Sequence, residues 1–399
     1  MHARWTLRWL SPWAMWQAGR RHEGETRQSI LWSTADVDTG DDDLEWAPPR
    51  VVPIPREGGG ALWGPCLLVD AEAGAGGKLW LFYSESRGEC GAKPPTMEWA
   101  PGGDIKAMSY DLTTDTWSAP RLLLSQDADA GIPKVTANKP AVLSDGSWVL
   151  PYWRERSLIG RTRACAKLAG QEGAGVLISR DKGETWSAHG NIKSAAAGWL
   201  IENAVVELGP GKDLLMIFRT KASMIYQSKS EDGGVTWSDA KPLGRPGLPN
   251  PNAKIDMIKL DVTNDGGASG QGMDTDGEDG DGEGTSGGGG SGKGSSETVL
   301  VVAFNDHPQP PRATLPGCLK CRTRLSLALS RDGGVTWRRQ VLLESEVGSS
   351  LRFHYPTLAQ VGCHLYVAYS RFYSKKIEPN DPGGSFEQQG IIVKRVEIA

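Results

Sequence analysis

The chain has 399 residues, with 44 Lys and Arg against 48 Asp and Glu and a net charge of −4. That balance leaves no basic field for nucleic acid and no polybasic patch for a membrane surface. No apolar run approaches the roughly 20 residues of a membrane helix, and six cysteines are too sparse for a disulfide scaffold of this length.

The opening MHARWTLRWLSPWAMWQAG is rich in Trp, but Arg8, Ser11 and Pro12 interrupt any signal-peptide core. It is taken as part of the fold, and with no leader, anchor or disulfide framework legible a cytoplasmic location is the expectation. Strand signals then run along almost the whole chain. LWLFYSES (79–86), WVLPYWRE (148–155) and LLMIFRT (214–220) are short, rich in β-branched and aromatic residues, and bounded by turn formers. ETVLVVAFND (297–306), RLSLALS (324–330), HLYVAYS (364–370) and GIIVKRVEI (390–398) continue the series. No segment carries the period of a three-turn amphipathic helix, so the chain reads as all-β.

Between the strands one eight-residue phrase returns three times: SRDKGETW (179–186), SEDGGVTW (230–237) and SRDGGVTW (330–337). Its Ser and Asp can accept backbone N–H groups and fold a turn on itself, and the fifth-position Gly supplies a positive φ. The closing Trp is expected to lie over the next layer of core. Looser copies stand at Ser109–Trp117 and Ser33–Trp46. The five serines Ser33, Ser109, Ser179, Ser230 and Ser330 then mark five units, with a sixth from Phe353 onward. A spacing of about 50 to 75 residues, with one insert discounted, suits four-stranded propeller blades. The expectation is a single six-bladed β-propeller over residues 1–399.

The insert is Asn264–Glu297, a Gly- and Asp-rich stretch that cannot bury a core and is expected to be disordered. Its acids do not make a calcium loop, because Asp279 stands where an EF-hand requires Gly. Cys318 and Cys321 form a lone C-x-x-C with no second ligand pair, so neither a metal nor a cofactor is expected.

The repeated phrase is the Asp-box, or BNR repeat, and with LPNPN (248–252) and Tyr355-Pro356 the chain resembles the sialidase (neuraminidase) superfamily. The resemblance covers nearly all the chain outside the insert. It implies a tyrosine nucleophile activated by a glutamate, because a carboxylate nucleophile would be repelled by the carboxylate of the sugar being attacked. It also implies arginines that grip that carboxylate, and an acid/base group from the first blade. IENAVVELGPGKDLLMIFRTK places Glu202 as the activating base and Arg219 as one carboxylate-binding arginine. CRTRLSLALS offers Arg322, with Arg324 one pleat away, and FHYP names Tyr355 as the nucleophile. Glu23 occupies the acid/base position, a Glu where the enzymes have Asp, and no RIP-like strand precedes it to supply the first arginine. Lys139, Glu155 and Asn250 join the substrate-binding set, while Asn138, Arg156, Asn305 and Asp306 are further polar residues at the same mouth, and His307 is read as a turn residue there.

Two functions follow. One is a sialidase-like exo-glycosidase on a terminal acidic sugar or glycoconjugate, sialic acid or a related acid, with Tyr355, Glu202 and Glu23 catalytic. The other is a non-catalytic propeller that binds glycans or proteins, in which Tyr355 merely caps a strand and Glu202 merely starts one. A truncated homologue, its ring latched by GIIVKRVEI against the first blade, is a third.

Overall fold

The computed structural model describes residues 13–397 apart from 21–22, 37–43, 57–59, 71–72, 74–76, 88–97, 157–165, 262–297, 308–321, 347–350, 363 and 374–388. The insert, the start of the chain and Cys90, Cys165, Cys318, Cys321 and Cys363 therefore lie outside the described residues.

The strands form six antiparallel sheets in chain order, the blades of a β-propeller. Blade 1 pairs Trp13–Ala18 with Ser29–Asp36, which also pairs with Glu45–Trp46 and Arg50–Val51. Blade 2 runs Leu62–Asp70, Lys78–Glu85 and Asp104–Asp111, with Thr116–Trp117 and Arg121–Leu124 at its edge. Blade 3 is Lys134–Thr136, Trp148–Arg154, Gly173–Ser179 and Ser187–Ile192, with Ala141–Val142 beside the second of these. Blade 4 is Ile201–Gly209, Asp213–Arg219, Tyr226–Ser230 and Lys241–Pro242. Blade 5 is Asp256–Leu260, Val299–Asn305, Arg324–Ser330 and Arg338–Ser345, and blade 6 is Leu351–Val361, His364–Tyr373 and Gly390–Glu397.

The three full boxes close with the same bonds. Ser179, Ser230 and Ser330 accept the N–H of Gly183, Gly234 and Gly334 at 2.7, 2.8 and 2.9 Å. Asp181, Asp232 and Asp332 accept the N–H of the box threonine at 2.8, 2.9 and 2.9 Å, and its hydroxyl as well. The fifth-position glycines sit at φ 90°, 95° and 84°. With their charge so well bonded, all three aspartates are held down to about 2. For Asp181 the Thr185 hydroxyl is the largest cause; for the other two, the threonine bonds outweigh an opposing effect of burial.

Each box Trp joins its blade to the one before. Trp186 of blade 3 meets Phe82 of blade 2 edge-on at 5.6 Å, and Trp237 of blade 4 packs with Val149, Val176 and Ile178 of blade 3. Trp337 of blade 5 is buried with Val206, Leu215 and Ile217 of blade 4. Burying a side chain of this size contributes about 2–3 kcal/mol. Apolar clusters likewise fill the successive blade interfaces from blade 1 to blade 6. The latch expected at the C-terminus is different: Gly390–Glu397 pairs with His364–Tyr373 as the third strand of blade 6, and not with blade 1 among the described residues.

Antiparallel pairing fixes which end of the propeller is which. In blade 4, Ile201 at the start of the first strand lies opposite Arg219 at the end of the second, and Phe218 opposite Tyr226 at the start of the third. The box leaves the other end of that third strand. Boxes and strand entries thus occupy opposite faces.

Candidate active site

The entry face gathers side chains by a shared backbone device. In the first strand of blade 4 the register shifts between Ile201 and Ala204, and in that of blade 6 between His354 and Thr357. Glu202 and Tyr355 lie inside those bulges in left-handed backbone, φ 48° and 54°. Asn252, just ahead of the first strand of blade 5, has φ 57°, and Gly64 in the bulge of blade 2 has φ 54°. A bulge re-aims the side chain it carries, and a non-glycine residue held left-handed stores about 1–3 kcal/mol of strain. At Gly64 only glycine fits, since an added Cβ would lie 1.6 Å from the Thr136 carbonyl oxygen.

The re-aimed groups converge. Arg219 Nη1 donates to both oxygens of Glu202, at 2.9 and 2.8 Å, and its Nε donates to Asn252 Oδ1 at 2.7 Å. Arg322 Nη2 donates to the Asn252 carbonyl at 2.8 Å, and its Nη1 lies 2.7 Å from His354 Nδ1. The Arg322 guanidinium stands 5.9 Å from the centre of the Tyr355 ring, and its Nε is buried without a hydrogen-bond partner among the described residues. Asn252 therefore bridges the two arginines, one through its side chain and one through its backbone. Opposite them, Gln17 of blade 1 donates to Glu23 at 3.0 Å while accepting the N–H of Gly64 at 3.0 Å.

Glu202, Arg219 and Arg322 are buried, whereas Tyr355 is 37 % exposed and Glu23 is also open to water. Both open groups nevertheless feel burial, since protein surrounds much of each side chain even where water reaches it. The Tyr355 phenol is pushed up to about 12, first by the Glu23 charge, then by burial and Glu202, against the pull of Arg219 and Arg322. Burial and then Glu202 raise the Glu23 carboxyl, opposed by the Gln17 bond and the two arginines. Burial lowers Arg322, helped by Arg219; in Arg219 the same burial is outweighed by Glu202 and Tyr355. Chemically this is a phenol that keeps its proton unless a base removes it, a carboxyl biased toward the acid form, and two guanidiniums that attract an anion.

Tyr355, Glu202, Arg219 and Arg322 are thus in one cluster, with Glu23 in electrostatic reach of it. Arg324 opens the third strand of blade 5, half-buried, with its Nε lacking a partner among the described residues. Lys139 pairs with Asp256 at 2.6 Å, and Glu155 accepts the Trp153 indole N–H at 2.8 Å. Asn250 is fully buried and its Oδ1 accepts the Ala253 N–H at 2.7 Å, capping the turn of LPNPN. Asn138 and Asn305 donate to backbone carbonyls of neighbouring blades, and Asp306 pairs with Arg339. Arg156 reaches Glu172, and the N–H of His307 donates to Asn305 O. Sequence reasoning did not single out Asn252, Gln17 or His354. The signal for Asn252 was present in LPNPN, whose two asparagines differ in role only once the turn is built.

The BNR repeat-like domain family matches residues 13–367. No curated protein matches the chain. Among solved structures, the Hadza microbial sialidase Hz136 superposes with TM-score 0.60 at 17% identity, over 92% of this chain and 64% of that one. A protein of unknown function from Dyadobacter fermentans gives 0.62 at 14%, over 98% and 92%. The Trypanosoma rangeli sialidase in complex with sialic acid gives 0.58 at 13%, over 92% of this chain and 51% of that one. The chain thus spans less than two thirds of either sialidase, and at such identity the likeness is one of fold.

Proposed function

The chain belongs to the BNR repeat-like domain family, and from that premise we propose that it is a retaining exo-glycosidase acting on a terminal acidic sugar such as sialic acid. Arg219 and Arg322 hold the sugar carboxylate. Asn252 sets their separation, so little ordering remains to be done when the anion arrives.

In the first step the Tyr355 oxygen bonds to the anomeric carbon as Glu202 accepts the phenol proton. The glycosidic C–O bond breaks and Glu23 gives its proton to the leaving oxygen. In the second step a water attacks the same carbon, Glu23 takes the water's proton, and the phenol oxygen leaves and recovers its proton from Glu202. Two displacements at one carbon retain the configuration. A phenol suits this role because it stays neutral beside a substrate carboxylate, where an ionised Asp or Glu would repel it.

The observation that carries this reading is the convergence of two left-handed residues, Glu202 and Tyr355, on one arginine pair. Strain of that kind is kept where a site requires it. The neighbour crystallised with sialic acid supports the substrate class. The test is hydrolysis of 4-methylumbelliferyl glycosides of N-acetylneuraminic acid, related keto-acids and uronic acids, with Tyr355→Phe in parallel. Turnover lost in the Phe variant is expected. Silence of the folded wild-type chain across the panel would overturn the reading and leave a glycan- or protein-binding propeller.

A further inference from the structure

The bulges that aim Glu202 and Tyr355 create a backbone problem of their own. Residues inside a register shift drop out of the strand ladder, so their carbonyls need donor partners from elsewhere. Two buried side chains provide them. Asn138 Nδ2, from blade 3, lies 3.0 Å from Glu202 O, 3.2 Å from Asn203 O and 3.2 Å from Ile255 O. Lys254 Nζ, from blade 5, donates to Pro356 O at 2.9 Å and to Asn138 Oδ1 at 2.7 Å. An unbroken chain of side-chain hydrogen bonds thus runs from the bulge of blade 4 to the bulge of blade 6, passing through one amide and one ammonium.

Lys254 is the middle of three residues, Asn252, Lys254 and Asp256, that alternate along the inner edge of blade 5. Asn252 takes the two arginines, and Asp256 takes Lys139 and the N–H of Leu358. Among the described residues no carboxylate pairs directly with Lys254, and both its acceptors are neutral. Burial pulls the Lys254 amine's pKa down, opposed by the nearby charges of Asp256 and Glu202, and burying such a group costs desolvation that packing alone would not require. Its placement makes sense as a donor that grips the residue after Tyr355 and, through Asn138, the backbone of Glu202.

We propose that Lys254 and Asn138 are positioning residues: a two-side-chain tether that holds Glu202 and Tyr355 in their left-handed conformations at one fixed separation. This rests on the glycosidase reading above. A proton transfer between the two groups and an in-line attack by the phenol both depend on that separation, and an error of about 1 Å can cost about 10²-fold in rate.

The test uses 4-methylumbelliferyl N-acetylneuraminic acid and three variants of the full chain. Lys254→Met removes both bonds at constant shape. Lys254→Gln keeps an amide donor for Asn138 or Pro356. Ser230→Ala, in a box on the opposite face, serves as a destabilised control. The expected result is a fall in kcat of about 10²-fold for Lys254→Met with KM within about threefold. Lys254→Gln recovers a tenfold or greater part of that loss (about 10-fold), and Ser230→Ala keeps wild-type kcat despite a lower melting point. Wild-type kcat in Lys254→Met would overturn the tether and leave the glycosidase reading standing, as would a loss that Lys254→Gln does not recover. Silence of the wild-type chain across the glycoside panel would overturn that reading, and the tether with it.

Discussion

On the box face three turns repeat the same hydrogen bonds, while on the entry face Glu202, Asn252 and Tyr355 share a backbone conformation and put three different side chains on it. The boxes satisfy themselves: serine, aspartate and threonine bond within eight residues, and the tryptophan docks on the preceding blade. The entry residues depend on hydrogen-bond partners 17 to 70 positions away. Local closure makes a turn robust and repeatable; distant closure makes a site specific and breakable.

That contrast can be broken at four points. The largest effect is expected from Tyr355→Phe, which should lower kcat by at least about 10³-fold while the fold, read by circular dichroism, stays intact. A folded variant with full activity would remove the entry face from the chemistry. Gly64→Ala comes next: its Cβ would meet the Thr136 carbonyl, so a loss of stability of about 3 kcal/mol or more is expected in urea melts. Asn252→Ala unties the arginine pair and puts Ala in left-handed backbone. Weakening of a bound sialic-acid analogue by about tenfold, measured by calorimetry, is the expected outcome. Asp232→Ala on the box face should lower stability by about 1 kcal/mol and leave kcat unchanged.

The box aspartates also predict a pH effect. Held down to about 2 in the fold from an ordinary 3.8, they contribute stability that is fully present above pH 4 and lost as pH falls from about 4 to about 2. Denaturant midpoints measured across that window should fall more in the wild-type chain than in a variant with all three boxes changed to Asn.

The same contrast explains what could be read from the residues alone. SRDKGETW and its copies carry their whole structure within eight letters, so the turn geometry and six blades were legible. That Glu202, Arg219, Arg322 and Tyr355 would meet in one cluster was legible through family spacing. Lys254 was not, because a lysine in NAKID reads as a solvated strand residue until a second blade supplies Asn138 and a third supplies Pro356. Gln17 was hidden in WAMWQA, where its neighbours are apolar and aromatic. Asn250 and Asn252 are chemically identical and two positions apart, and only the turn between them decides that one caps it and the other holds arginines. GIIVKRVEI was legible as a strand but not as to its partner, since nothing in a strand's own pattern names the edge it joins.

The spine of Asn252, Lys254 and Asp256 has a consequence for damage. Together with Asn138 it ties residues of blades 3, 4, 5 and 6 into one buried hydrogen-bonded network. A substitution at any one of the four is therefore felt in several blades at once.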